Sequence, residues 1–305
     1  MRFERVMVTG GSGLLGRFVV DTLIDVCAVS VLDIVTPYQD VPYFEADILD
    51  LDAVRAAVAG QDAAIHLAGI DDGNASHDRD YFETNVQGAW NLFHAAEAAG
   101  LRKLVIASSI AALGIGYHRM PDYLPVDEGH PLHNTGTYGH SKEAIETAAR
   151  HFVRRGRLDI VCLRPTLIVR PEREAAFLAQ LALPDPDRDP PVGALGADGA
   201  APYGALSATR SYVRSQDAAR CFPMALDHDG AGFEVFNVSA VDSIGRLDTL
   251  ERLAAVYGRL PEVRDPAIYA RDPFAGVLDI RRTRDRLGWE PEGDWTSIVA
   301  QHGGA

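Results

Sequence analysis

The segment Thr9-Gly10-Gly11-Ser12-Gly13-Leu14-Leu15-Gly16 follows a β-branched run, Arg5–Thr9, and opens an amphipathic one over residues 14–24. Glycines at this spacing between a strand and a helix have a definite physical use. Gly10 permits the tight turn, Gly13 lets the backbone approach a pyrophosphate, and Gly16 lets helix and strand pack closely. The helix start, with Leu14 in its first turn, offers free N–H groups and a positive dipole end to phosphate. Asp33 stands roughly 20 residues on, after Val29-Ser30-Val31-Leu32, where an acidic residue is expected. Its carboxylate can accept from ribose hydroxyls and would repel a 2′-phosphate. Ser12 and Ile34, the adjacent positions at which a basic side chain would hold that phosphate, are uncharged. The expected cofactor is therefore NAD rather than NADP.

Working outward, apolar runs over residues 28–34, 43–48, 63–68, 103–108 and 159–164 alternate with helix-like stretches over 51–59, 81–99 and 138–153. Near-uniform apolar strands suit a parallel sheet covered on both faces. The alternation predicts an α/β fold, a Rossmann doubly wound parallel sheet with a smaller C-terminal substrate-binding region. Residues 1–165 are expected to form the NAD-binding domain, with 205–240 returning to it. Residues 166–305 would supply mainly the substrate-binding region. Within it, 184–204 is rich in Pro, Gly, Ala and Asp and reads as a loop, either a passive connection or a lid.

Composition bounds the partners. The 305-residue chain is 47% hydrophobic and 24% charged, as in ordinary globular proteins. No apolar run is long enough to span a bilayer, and the N-terminus lacks the pattern of an export signal. The net charge of −14 argues against nucleic acid or an anionic membrane as the main partner. Cys27, Cys162 and Cys221 read as reduced core thiols of a cytoplasmic protein. The ten histidines show no metal-ligand spacing, so no metal is expected.

The chemistry centres on Tyr138-Gly139-His140-Ser141-Lys142. A spacing of four puts tyrosine and lysine on one helix face. A free phenol has a pKa near 10; a neighbouring ammonium would lower it toward the range useful for proton transfer. Ser108 and Ser109 end the run beginning at Lys103, at the carboxyl edge of the sheet, where a hydroxyl can donate to a reacting oxygen.

With these residues assembled, the chain resembles the extended short-chain dehydrogenase/reductase superfamily, in its NAD-dependent epimerase/dehydratase branch. The likeness rests on Gly10-x-x-Gly13-x-x-Gly16, Asp47-Ile48, His66-Leu67-Ala68-Gly69, Asn85, Ser109, Tyr138-x-x-x-Lys142, Leu163-Arg164-Pro165, Arg210-Ser211-Tyr212-Val213 and Leu287-Gly288-Trp289. It implies cofactor contacts at Asp47, Ile48, Leu67, Ala68, Gly69, Asn85, Tyr138, Lys142 and Pro165, and catalysis by Ser109, Tyr138 and Lys142. It also implies a homodimer built on the helices over 81–99 and 138–153, whose apolar residues Ala144, Ile145, Ala148 and Phe152 suit either that interface or the subunit interior. Leu167 and Arg170-Pro171 depart from the Asn and Gly-Pro of sugar-nucleotide enzymes, and Ile110-Ala111 from the Asp-Glu of dehydratases. Ser108, Arg170 and Arg210 are candidate substrate contacts. The resemblance implies hydride transfer between a sugar-type, possibly sugar-acid, secondary alcohol and NAD. An NAD-dependent sugar or sugar-nucleotide epimerase and a non-catalytic NAD-sensing regulator or assembly factor are the alternatives.

Overall fold

A computed structural model describes residues 2–116, 119–174, 209–245, 247–295 and 297–298. The segment 184–204 lies outside them. Seven parallel strands form the central sheet: β1 (Arg5–Thr9), β2 (Ala28–Asp33), β3 (Tyr43–Glu45), β4 (Ala63–His66), β5 (Lys103–Ala107), β7 (Asp159–Pro165) and β10 (Phe233–Val238). Their order is β10-β7-β5-β4-β1-β2-β3. The chain winds outward from β1 to β3 and then crosses back to β4 on the other side. Thr9 and His66, paired across β1 and β4, thus flank the switch point. Ligands of open α/β sheets bind in the crevice at this place.

Period-two alternation divides the core between the two faces. Val6 and Val8 face a cluster with Val19, Val20 and Leu23 of α1 (Gly16–Leu23). Met7 faces the opposite cluster, built on α2 (Leu51–Val58), α4 (Gly88–Ala99) and α5 (Thr137–Arg154). A single helical turn, α3 (Asp78–Asp80), precedes α4. On the first face lies α6 (Ser215–Asp227), and Trp289 packs there fully buried, donating Nε1–H to Asp217 O at 2.9 Å. This explains the Leu-Gly-Trp segment as a clamp of the chain's end onto the sheet. Beyond the sheet, β8 (Leu167–Val169) pairs with β9 (Tyr212–Arg214), while β6 (Tyr123–Leu124) pairs with β11 (Glu262–Val263). A separate apolar cluster joins Leu124 and Val126 to Leu253, Tyr269 and Val277.

Several elements are shorter than their sequence expectation, β4 ending at His66 and α1 spanning Gly16–Leu23, and two differ in ways that bear on the site. The strand over 43–48 ends at Glu45, because Asp47 turns the chain by accepting the Leu49 N–H at 2.9 Å. The helix over 81–99 is π-helical from Tyr81 to Gln87 and α-helical only from Gly88. The wider turn accommodates Asn85, whose side chain bonds outward to another segment's backbone, a use to which π-turns are often put. Among the described residues no helix is long and apolar enough to cross a membrane.

Candidate active site

The glycine turn forms a cradle at the switch point. Gly10 has φ +73° and donates its N–H to Leu32 O at 2.8 Å. A Cβ there would stand 2.6 Å from the Leu67 carbonyl carbon, so β4's continuation can approach only a glycine. A Cβ on Gly16 would collide with the Gly10 carbonyl oxygen and lie 2.8 Å from Gly11 Cα. Gly13 differs: among the described residues its Cβ would meet within 4 Å only Gly10 O, at 3.1 Å. Its outer side is open, and the start of α1 carries no side-chain cap. Leu14 lies half exposed at that start.

Asp33 ends β2 above the loop, its Oδ2 accepting from Ser12 N–H at 2.9 Å and its Oδ1 from Val35 N–H at 3.1 Å. Two amides fix the carboxylate, and each oxygen keeps a lone pair for a ribose hydroxyl. Open backbone, uncapped helix and oriented carboxylate suit a dinucleotide. Ile48 is buried against Gly88, and its carbonyl accepts from Asn91 Nδ2 at 3.1 Å. Arg170 pairs with Glu172 at 3.2 Å, and Glu172 also takes Arg17 of α1 at 2.5 Å. The arginine singled out for substrate is thus held toward the nucleotide helix.

The continuation of β4 runs along the crevice. Leu67 N–H donates to Thr9 O at 2.9 Å, and Ala68 and Gly69 follow. Asn85, fully buried, accepts from Ile70 N–H at 2.6 Å and donates to Ile70 O at 3.0 Å and Ser141 Oγ at 3.2 Å. It thereby ties this strand end to α5, one residue from Lys142. Burial and then the Lys142 charge hold His66 down to about 3, so it is neutral, with Nδ1 2.7 Å from Thr9 Oγ1.

Ser109, Tyr138 and Lys142 meet at the carboxyl edge. The Ser109 hydroxyl stands near the Tyr138 phenol and acts to lower its pKa. Lys142 Nζ lies 5.5 Å from the Tyr138 ring centroid and donates to Ala107 O at 3.1 Å. Pro165 is buried at the end of β7, opposite Val238. Gly139 makes this approach possible, since a Cβ there would stand 2.5 Å from Ala111 O in the turn after Ser109. The electrostatics depart from expectation. Burial, followed by the Asp71 carboxylate, pushes the Tyr138 phenol well above its ordinary value, against the pull of Ser109. Burial brings Lys142 down to about 8, with Asp71 opposing. The phenol therefore keeps its proton until further positive charge reaches it.

A depressed lysine is a stability statement. Unfolded Lys142 holds its proton up to about 10.5, the folded one only to about 8, so folding is penalised below 8 and the penalty fades as pH rises between these values. The drop corresponds to about 3 kcal/mol, and loss of the bond to Ala107 returns about 1. Lys142→Met should therefore stabilise the cofactor-free protein by about 2 kcal/mol at pH 7, and by less near pH 10. Urea titrations at the two pH values would show this; equal stability at pH 7 would contradict the assigned cost.

Ser108, offered with Ser109 as a substrate contact, is buried and donates to Glu146 Oε1 at 2.7 Å. Arg210 lies two residues before β9 with φ +51°, beside the buried Arg252. Glu146 and Arg164 form a wholly buried ion pair at 2.7 Å. Sequence reading passed over Glu146, although a glutamate four residues after Lys142, on the face that carries Ile145 and Ala149 into the core, is a usable signal. Asp71 was also passed over, since only the fold brings it near Tyr138. Among the described residues no group of three or more His, Cys, Asp or Glu could hold a metal.

The defining pattern of the NAD dependent epimerase/dehydratase family matches residues 6–239. UDP-glucose 4-epimerase of Streptomyces lividans is 25% identical over 320 residues, covering 97% of this chain and 94% of that one. The solved structure of Thermus thermophilus UDP-glucose 4-epimerase with NAD superposes with TM-score 0.66 at 25% identity, covering 99% and 100% of the two chains. Uronate dehydrogenase from Agrobacterium tumefaciens shares the fold at TM-score 0.63 and 20% identity, covering 98% of this chain and 88% of its own.

Proposed function

The chain belongs to the NAD dependent epimerase/dehydratase family, and on that premise we propose that it oxidises or reduces a sugar-type secondary alcohol with NAD, as a dehydrogenase. The observation that carries this reading is the convergence of Ser109, Tyr138 and Lys142 at the sheet edge that also holds the glycine cradle, with Lys142 Nζ 5.5 Å from the Tyr138 ring and bonded to Ala107 O at the end of β5. Tyr138 would take the hydroxyl proton as hydride leaves the carbinol carbon, and Ser109 would donate to the same oxygen. Lys142 would stabilise the phenolate. Bound NAD supplies the hydride acceptor. Gly10, Gly13, Leu14, Gly16 and Asp33 would hold its adenosine diphosphate half, with Asp47, Ile48, Leu67, Ala68, Gly69, Asn85 and Pro165 lining its path. Leu167 supports an unesterified sugar or sugar acid, because this exposed apolar side chain offers no amide to a diphosphate.

The test is reduced-nicotinamide absorbance with NAD and a panel of sugars, sugar acids and sugar nucleotides, with Tyr138→Phe as control. Net reduced cofactor with one class supports the dehydrogenase. Isomerised product without net reduction would favour the epimerase that the full-length curated relative suggests. Bound NAD with neither would favour a sensor. Asp33→Ala should raise the NADP-to-NAD ratio of kcat/KM at least about tenfold, by removing the carboxylate that repels a 2′-phosphate; an unchanged ratio would remove Asp33 from the adenosine site.

A homodimer through α4 and α5 is part of this reading. Ile145, Ala148 and Phe152 are buried inside the subunit and cannot form it. The outer face instead carries Trp90, 42% exposed and stacked on His151 at 5.7 Å, with Phe82 against His140. Trp90→Glu should therefore yield a monomer on light scattering at concentrations where the native chain is dimeric. A native chain that is already monomeric would end the proposal.

A further inference from the structure

We propose that Ser108 and Glu146 are positioning residues, forming a buried peg that holds Ser109 in line with Tyr138. The inference rests on the proposed dehydrogenase chemistry and concerns how its hydroxyl pair is aligned. Glu146 lies on α5 one turn beyond Lys142 and two beyond Tyr138, and it is 1% exposed. Its Oε1 accepts from Ser108 Oγ at 2.7 Å and Arg164 Nε at 2.8 Å, and its Oε2 accepts from Arg164 Nη2 at 2.7 Å. Arg164 belongs to β7, and its Nη1 reaches Glu128 O at 3.5 Å. Ser108 also donates its backbone N–H to Leu163 O at 2.8 Å. One carboxylate therefore joins the helix bearing Tyr138, the end of β5 and the end of β7.

The consequence for the site follows from backbone geometry. Ser109 is extended, with φ −161° and ψ 155°. Consecutive side chains on an extended chain point to opposite sides. With Ser108 drawn into the core by Glu146, Ser109 is turned up toward Tyr138, where its Oγ also accepts the Ala111 N–H at 3.1 Å. A buried ion pair gives little stability over apolar side chains of similar size, whereas a bidentate arginine fixes geometry closely. Its distinctive effect here is alignment. The peg also sets the register of α5 against β5, which carries Lys142 to the Ala107 carbonyl.

Ser108→Ala is the sharpest probe, because it releases Ser109 while leaving the Glu146–Arg164 pair intact. With the substrate identified by the panel, kcat should fall roughly tenfold or more, while KM and NAD affinity stay within about twofold. The rising, acid-side limb of the kcat profile for oxidation, set by Tyr138 as base, should also move to higher pH, since the phenol loses the neighbouring Ser109 hydroxyl that lowers it. Glu146→Gln keeps an acceptor for Ser108 and should retain more activity than Glu146→Ala; if either fails to fold, Ser108→Ala alone decides. A Ser108→Ala enzyme with wild-type kcat and an unmoved pH limb, whatever its melting temperature, would reduce the network to a structural tie. A wild-type chain that turns over nothing removes the dehydrogenase reading and this inference with it; an active wild type with an unchanged Ser108→Ala removes this inference alone.

Discussion

Tyr138→Phe should lower kcat about 10³-fold with little change in NAD affinity, because the ring remains and only the proton acceptor is lost. The phenylalanine keeps the edge contact with Tyr81, now 5.6 Å between centroids, so the site should retain its shape. The pH dependence has a definite sign. Alcohol oxidation needs the phenolate, which gains support while Lys142 is charged. Burial sets that lysine's loss of charge at about 8 in the cofactor-free chain. The kcat/KM profile for NAD should bend downward above that pH, and Lys142→Met should lose the bend along with most of its turnover. A Tyr138→Phe variant within tenfold of wild type would show that another group carries the proton.

Gly16→Ala should severely damage the proposed cofactor cradle. The added carbon would lie 2.8 Å from both Gly11 Cα and its carbonyl carbon, besides meeting the Gly10 carbonyl. These are backbone atoms of the loop proposed to receive the pyrophosphate, and no side-chain rotation relieves the contact. The loop must shift by the better part of an ångström, at an overpacking cost of about 1–3 kcal/mol. NAD affinity should fall about a hundredfold, as expected when oriented donors are displaced by such a distance. Calorimetric titration against the folded variant would measure it. Affinity within twofold of wild type would mean that the pyrophosphate does not use this loop.

Much of this was legible in the chain. The loop from Thr9 to Gly16 carries its meaning locally, because glycine spacing, the preceding strand and Asp33 are set by short-range backbone geometry. The same holds for Tyr138 and Lys142, whose helical spacing makes them neighbours in any fold that keeps the helix. Reading ran short where a role depends on a distant partner. Arg170 is a substrate candidate by its charge alone, and only the fold adds its pairing with Glu172 beside α1. Ile145 and Phe152 suited either a dimer interface or the subunit interior, and the choice fell to the fold, which packs them into the core beneath the sheet.

The sequence by itself determined the strand–helix alternation, the glycine turn and the spacing of the proposed proton-handling pair, since each depends on residues within about a turn or a strand length. Tertiary structure alone decided which hydroxyl is turned toward Tyr138. Ser108 and Ser109 are chemically identical neighbours, and the choice falls to Glu146 and Arg164, 38 and 56 positions further along the chain, which draw one inward and leave the other to Tyr138. Only the fold likewise sets the proton affinities of Tyr138 and Lys142, because burial and the approach of Asp71, more than their spacing, move both.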